Sequence, residues 1–290
     1  MWTVAADSAG EVATTRVSFG STAGTITSNT ATQVVATSPA ESAATVHITV
    51  TTAAGTSATS SADQFTYQAT STPASITTVG ALYTHTNQPS HQQETISVSP
   101  AAAGDELAMA IETKFPSGVP SFTAAGVSGG GVTTWNKARS YLTIDGIHGQ
   151  ELWWGVVTTP GPSTITVSYT SGSTSGNSES ATSLDVQEFR SSSGASTVWS
   201  LDVTGVVDTG VSTTAPDYPT LTPTSTNEAY FGYLAVPGSV SAGSTPGVVY
   251  QVDARGNQCA YDQSVSSTII PAASSSSQTF FSIGMLLKAV

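Results

Sequence analysis

The chain has 290 residues, enough for one large or two ordinary domains, and carries 7 Lys+Arg against 19 Asp+Glu, a formal net charge of −12. That balance speaks against nucleic acid held through its phosphates and against an anionic membrane surface, because the few basic residues (Arg16, Lys114, Lys137, Arg139, Arg190, Arg255, Lys288) are scattered. Only 9% of residues are charged, far under the roughly 25% usual in soluble domains, yet five Trp, nine Tyr and eight Phe argue for packed cores rather than disorder.

No apolar run nears the roughly 18 residues of a membrane span. The first residues also lack a basic stretch followed by an apolar one, so neither membrane insertion nor a signal peptide is expected. Cys259 is the one cysteine, which excludes an intrachain disulfide; among Gln258, Ala260 and Tyr261 it reads as a small buried residue.

The first strands are read at Val17-Ser18-Phe19-Gly20-Ser21, Val46-His47-Ile48-Thr49-Val50 and Asp63-Gln64-Phe65-Thr66-Tyr67. Apolar residues alternate there with Ser and Thr, and Gly, Pro and Asn supply the turns, the pattern of a small antiparallel sandwich with one wet face per sheet. Residues 69–79 form a polar, Pro-containing connector. Beyond it, period-2 alternation marks strands at Thr95–Ser99, Glu106–Glu112, Gln150–Val157, Thr164–Tyr169, Ser183–Phe189, Tyr230–Val236 and Phe280–Leu287. In the second of these, Leu107, Met109 and Ile111 share one face, with Ala108 and Ala110 opposite. No stretch sustains a 3.6-residue period, so helices should be few and short. The tract Ser171–Ser178 reads as a flexible loop.

The wording and order of residues 17–67 resemble the IPT/TIG family of immunoglobulin-like domains. The resemblance implies a small immunoglobulin-like sandwich over residues 1–68 that acts as a spacer or adhesion module. The family's first strands and their Gly-Gly turn have no counterpart in Met1 to Thr15. An incomplete edge is a template for strand pairing, so Trp2, Val4, Val17 and Phe19 are candidates for an assembly edge. Residues 80–290 hold Gly104-Asp105-Glu106-Leu107, Val127-Ser128-Gly129-Gly130-Gly131, Trp135-Asn136-Lys137-Ala138, Glu151-Leu152-Trp153-Trp154-Gly155 and Trp199-Ser200-Leu201-Asp202. In that order they are similar to a β-sandwich module of actinobacterial surface proteins and of the tail or capsid proteins of their phages. The fold expected is all-β, a small immunoglobulin-like sandwich followed by a larger antiparallel β-sandwich of jelly-roll type.

Candidate chemistry is thin. Of the four histidines, His47, His85, His91 and His148, His85 and His91 lie six apart without a cysteine nearby and His47 alternates with Val46 and Ile48 as a solvent-facing strand residue would, so no metal site is read. Gly172-Ser173-Thr174-Ser175-Gly176 mimics a nucleophile elbow but sits in low-complexity sequence. Carboxylate pairs for glycoside hydrolysis would be Asp145 with Glu151, which flank a hairpin, or Asp185 with Glu188, which alternation places on opposite faces. No cofactor is expected; calcium, if bound, would use Asp105 with Glu106 or Asp202 with Asp208. Trp135, Trp153, Trp154 and Tyr141 are the candidate binding aromatics, alongside Tyr250 and Tyr261. Adjacent Trp153 and Trp154 must point to opposite faces, one to the core and one to a groove or interface. The expectation is therefore a non-enzymatic virion protein that decorates a phage capsid or tail. Its partners would be other copies or other virion and surface proteins, with a surface glycan as a further one. The alternative is a secreted actinobacterial carbohydrate-binding or adhesion module.

Overall fold

The computed structural model describes residues 2–5, 16–30, 33–67, 73–87, 93–114, 124–144, 146–169 and 181–290. The chain divides into two compact units, Met1–Ser71 and Thr72–Val290.

The first unit contains β1 (Trp2–Ala5), β2 (Arg16–Phe19), β3 (Thr22–Ala23), β4 (Thr25–Asn29), β5 (Gln33–Thr37), β6 (Ala44–Thr52), β7 (Gly55–Thr56) and β8 (Gln64–Tyr67). One sheet runs β1-β5-β4; the other runs β3-β2-β6, with β7 and β8 both paired to β6. All pairings are antiparallel, and alternation sends Val34 and Ala36 from the first sheet against Val17, Phe19 and Ile48 from the second. Phe19, Phe65 and Tyr67 meet edge to face, with ring centres 4.9–6.5 Å apart, the geometry that aromatic quadrupoles favour.

Two members of the expected assembly edge are corrected here. Val17 and Phe19 are each only 2% exposed and belong to the core, because β2 lies inside its sheet between β3 and β6. Trp2 and Val4 do lie on an edge strand. β1 pairs in the same chain with β5, from Trp2↔Ala36 to Ala5↔Gln33, and among the described residues no strand pairs with its other side.

The second unit starts before the expected boundary at residue 80. Ala74 is buried and donates its N–H to the Ala289 carbonyl at 2.9 Å, and the first strand opens at Ile76, so residues 73–79 are part of this unit rather than connector. Its strands are β9 (Ile76–Asn87), β10 (Gln93–Val98), β11 (Glu106–Lys114), β12 (Ala124–Gly129), β13 (Val132–Leu142), β14 (His148–Val157), β15 (Ser163–Tyr169), β16 (Ala181–Ser191), β17 (Trp199–Asp208), β18 (Glu228–Ala235), β19 (Val240–Ser241), β20 (Val249–Val252), β21 (Gln258–Val265), β22 (Ser274–Ser275) and β23 (Phe281–Ala289).

Eight strands form one antiparallel sheet in the order β10-β15-β12-β13-β14-β11-β16-β9. It folds over at the β12–β13 hairpin, where the only ladder pair is Gly129↔Val132. Gly129, Gly130 and Gly131 all have positive φ there, and a Cβ on Gly129 would come within 2.0 Å of the Thr164 carbonyl oxygen. Only glycine fits that corner. On the opposite side the Tyr83 hydroxyl of β9 bonds to both the N–H and the carbonyl of Ser99. The folded sheet encloses a core of Leu107, Met109, Ile111, Trp153, Ile165, Val167, Leu184 and Val186.

A second sheet, β17-β23-β18-β21-β20, covers the outer face of β9, β11, β14 and β16. Ala108 and Ala110 meet Phe231, Met285 and Ile283 in that layer. β11 is therefore buried on both faces, each face keeping the partition written in its sequence. The larger antiparallel sandwich thus carries a third layer. The far side of the second sheet holds one more core, built on Tyr218, Tyr230, Leu234 and Leu286. Gly232, Gly284 and Gly205 stand in one row across β18, β23 and β17; a side chain at Gly205 would collide with Pro219 and one at Gly232 with Tyr230, while one at Gly284 would press closely on both.

Candidate functional site

The strand registers set Thr182 beside Asn87, Ala181 beside Lys114, Lys114 beside His148, and Ala124 beside Tyr169. The strand ends Asn87, Lys114, Ala124, Leu142, His148 and Tyr169 therefore all lie at one end of the folded sheet. Loops carried on a rigid frame are where such folds place recognition. Two polar clusters lie beneath that end, one on each face of the β14-β11-β16 wall.

The inner cluster centres on Glu151, which is 4% exposed. Its Oε1 accepts from Lys137 Nζ at 3.0 Å, Ser140 Oγ at 3.1 Å and the Ala124 N–H at 3.3 Å; its Oε2 accepts from Trp153 Nε1 at 2.7 Å. Four donors satisfy this buried carboxyl group. The Lys137 ammonium also sits 4.9 Å from the centre of the Trp153 ring, a cation–π contact. Nearby, Glu94 accepts from Asn87 Nδ2 at 3.1 Å and contacts His85 Nε2 at 3.2 Å. Burial first, then the charges of Glu94 and Glu151, raise the Tyr169 hydroxyl far above its ordinary range.

The outer cluster lies between the layers. Gln150, Glu112 and Ser183 are register neighbours across β14, β11 and β16. Glu112 Oε2 accepts from Tyr233 Oη at 3.1 Å and from Asn257 Nδ2 at 2.8 Å. The Tyr233 hydroxyl also lies 3.1 Å from Asp253 Oδ2. Asp253 Oδ1 in turn caps the following turn by accepting from the N–H groups of Arg255 and Asn257. Burial pushes Glu112 up to about 7, partly offset by Arg255 and Tyr233. Asp185 is fully buried with neither oxygen hydrogen-bonded; burial, then Asp253 and Glu112, hold its pKa well above the carboxylate range. A neutral Asp185 carboxyl follows, since an unpaired charge there would cost several kcal/mol. Burial, followed by Asp185 and Asp253, also raises the Cys259 thiol. Cys259 is therefore an inert buried thiol.

The four candidate aromatics are spent internally. Trp153 and Trp154 point to opposite faces, as alternation requires, but both pack on cores: Trp153 inside the folded sheet and Trp154, half-buried, between the layers. The expected open-faced tryptophan is thus corrected, because the third layer covers the side that a two-layer sandwich would leave wet. Trp135 donates its indole N–H to the Gly129 carbonyl at 3.0 Å. Tyr141 donates to Asp208 Oδ2 at 3.3 Å, the same oxygen that accepts the Ile144 N–H at 2.7 Å.

The remaining candidate residues serve local structure. Asp105 holds Arg190 through two hydrogen bonds, Asp202 holds Lys288 and Thr224, and Asp208 anchors the β13–β14 hairpin. Asp202 and Asp208 stand six residues apart on β17 with separate partners, and Asp105 bonds Arg190 while Glu106 is buried without a hydrogen bond, so neither expected pair forms a calcium clip. Asp185 lies toward Glu112, whereas Glu188 accepts the Ala101 N–H at 2.7 Å. In the first unit, His47 bonds through Nδ1 to Asp63. Asp145, His91 and the Gly172–Gly176 string lie outside the described residues. Among the described residues no three His, Cys, Asp or Glu side chains converge as a metal site would. Glu112, Tyr233, Asp253 and Asn257 escape a sequence reading because 145 positions separate the first from the last; the one signal was a Glu at an apolar-alternating position of a strand.

Comparison with protein-family profiles, with curated proteins and with solved structures finds no match to this chain.

Proposed function

We propose that this chain is a non-enzymatic structural protein that decorates or extends the surface of a particle, a phage capsid or tail, with a first unit of immunoglobulin-like type used for assembly. The observation that carries this reading is how the ionisable and aromatic side chains are used. Glu151, Glu94, Asp105, Asp208 and the indoles of Trp135 and Trp153 each hold strands together, which suits a load-bearing frame. The formal net charge of −12 favours mutual repulsion of crowded copies. With β3 and β7 left aside, β1-β5-β4 and β2-β6-β8 take the B-E-D and C-F-G orders of an immunoglobulin-like sandwich, which supports that reading of the first unit. Among the described residues β1 is an edge strand, and an edge can accept an added strand, which supports assembly there. Removing residues 1–71 from the native protein is expected to abolish particle attachment while leaving the second unit folded; unchanged attachment would refute the assembly role.

A second reading, adhesion to a host-surface glycan, is favoured by the gathering of the strand ends Asn87, Lys114, Leu142 and Tyr169 at one end of the second unit. A glycan array with the whole chain tests it: saturable binding of a defined glycan would favour adhesion over decoration, and an array without binding would count against it.

A further inference from the structure

Three neighbouring strands of the second unit bring together a lysine and two carboxyl groups. Lys288 sits on β23, Asp202 on β17 and Glu228 on β18, and the registers Ser200↔Lys288 and Ala229↔Leu287 place them in adjacent rows. Lys288 Nζ lies 2.6 Å from Asp202 Oδ1. Thr224 fixes the same carboxylate, donating from Oγ1 to Oδ1 at 2.6 Å and from its N–H to Oδ2 at 2.8 Å. It also accepts from Lys288 Nζ at 2.6 Å. Glu228 has no exposed surface. Its Oε1 accepts the Ser225 N–H at 2.8 Å, while its buried Oε2 has no donor. The Asp202 carboxyl lies beside Glu228. Burial, opposed by the Ser225 N–H and reinforced by Asp202, pushes Glu228 up to about 7, so it keeps its own proton close to neutral pH.

We propose that Lys288 and Asp202 form an intramolecular amide bond, made by the folded chain itself with Glu228 as the proton carrier. The balance is simple: one ammonium and one carboxylate give one amide and one water. Burial pushes the Asp202 carboxyl up, but the bonds from Lys288 and Thr224 hold it below its ordinary range, so the resting site is an ion pair. The reaction starts from the minor form in which one proton has passed from the Lys288 ammonium to Asp202, leaving an amine and a carboxylic acid. The amine lone pair attacks Cγ of Asp202 and the C–N bond forms. The Glu228 carboxyl hydrogen-bonds the carboxyl oxygens of the tetrahedral intermediate, receives a proton from the nitrogen and delivers one to the departing hydroxyl. The C–O bond breaks and water leaves; nothing is oxidised or reduced. Strand pairing supplies the proximity that replaces an activated acyl group.

Two other clusters in the same unit show what the reaction requires. Arg190, Asp105 and Glu188 repeat the arrangement with Arg190 Nη2 2.6 Å from Asp105, but a guanidinium does not surrender its proton and remains an ion pair. Lys137 meets Glu151 at 3.0 Å, but the other donors to that carboxylate are Ser140, Trp153 and the Ala124 N–H rather than a second carboxyl group. The Lys288–Asp202 bond would tie β23 directly to β17, so a pull along β23 would load a covalent link rather than a ladder of hydrogen bonds.

Intact mass spectrometry of the full chain, incubated folded at about pH 6.5, is expected to show a loss of one water, about 18 Da. Trypsin should release the peptide that follows Arg190 joined to the one that follows Arg255. Lys288→Arg and Glu228→Gln are expected to restore the full mass, the latter with an unchanged circular dichroism spectrum. A wild-type mass equal to that of the sequence, or a water loss mapped elsewhere, would overturn the bond, and neither result depends on a variant folding. An undiminished link in Glu228→Gln would overturn the role of Glu228.

Discussion

Replacing Glu112 by Gln probes the seam between the layers most sharply. Glu112 is fully buried, and its Oε2 takes two neutral donors, Tyr233 Oη and Asn257 Nδ2. Burial raises its pKa from 4.5 to about 7. Below pH 4.5 the group is protonated in both folded and unfolded chains, and its stabilising contribution is intact. Between pH 4.5 and 7 the unfolded chain releases the proton while the folded chain keeps it, so stability falls as pH rises. At about 1.4 kcal/mol per pH unit, Glu112 alone removes about 3 kcal/mol by pH 7.5. Gln keeps an acceptor for the two donors and cannot ionise. Urea unfolding of wild type and Glu112→Gln at pH 4.5 and 7.5 should therefore show near-equal stability at the lower pH. At the higher pH the variant should gain about 3 kcal/mol relative to wild type. Parallel curves at the two pH values would refute the reasoning.

Other outcomes follow from the same packing. Because Glu188 and Glu228 are also pushed up to about 7, and burial raises Glu106 and Asp185 well above their ordinary values, urea midpoints of the wild type should be highest at mildly acidic pH and fall between pH 5 and 8; a profile that rises over that range would contradict it. Asp63, lowered chiefly by its bond to His47, opposes the trend only at lower pH, where its contribution is lost. Phe19→Ala should cost the first unit about 3–5 kcal/mol, seen in calorimetry as an early transition with the second unit's unchanged. Gly129→Ala meets both a positive φ and the Thr164 carbonyl, and should lower the second unit's stability by about 3 kcal/mol or more, measured by thermal unfolding.

Much of the fold could be read from alternation, and what could not has a physical reason. Glu106–Glu112 and Thr164–Tyr169 carry a clean period of two, and both are strands of the folded sheet. The partition of Leu107, Met109 and Ile111 from Ala108 and Ala110 also names the two cores they enter. β13 was missed because its exposed Thr133, Thr134, Asn136 and Arg139 break the apolar period. The third layer was missed because small residues facing a sheet look the same whether water or another sheet lies beyond them. That omission misplaced Trp154. The site fared less well, since Glu112 meets Asn257 and Lys288 meets Asp202 only through sheet order, which no local spacing records.

The proposed role is tested most directly by immuno-electron microscopy of particles from the source culture, using antibody to this chain. A regular array of label on intact capsids or tails, with the chain co-purifying at fixed stoichiometry, is the expected result. Bare particles, with the chain confined to the free soluble fraction, would contradict it.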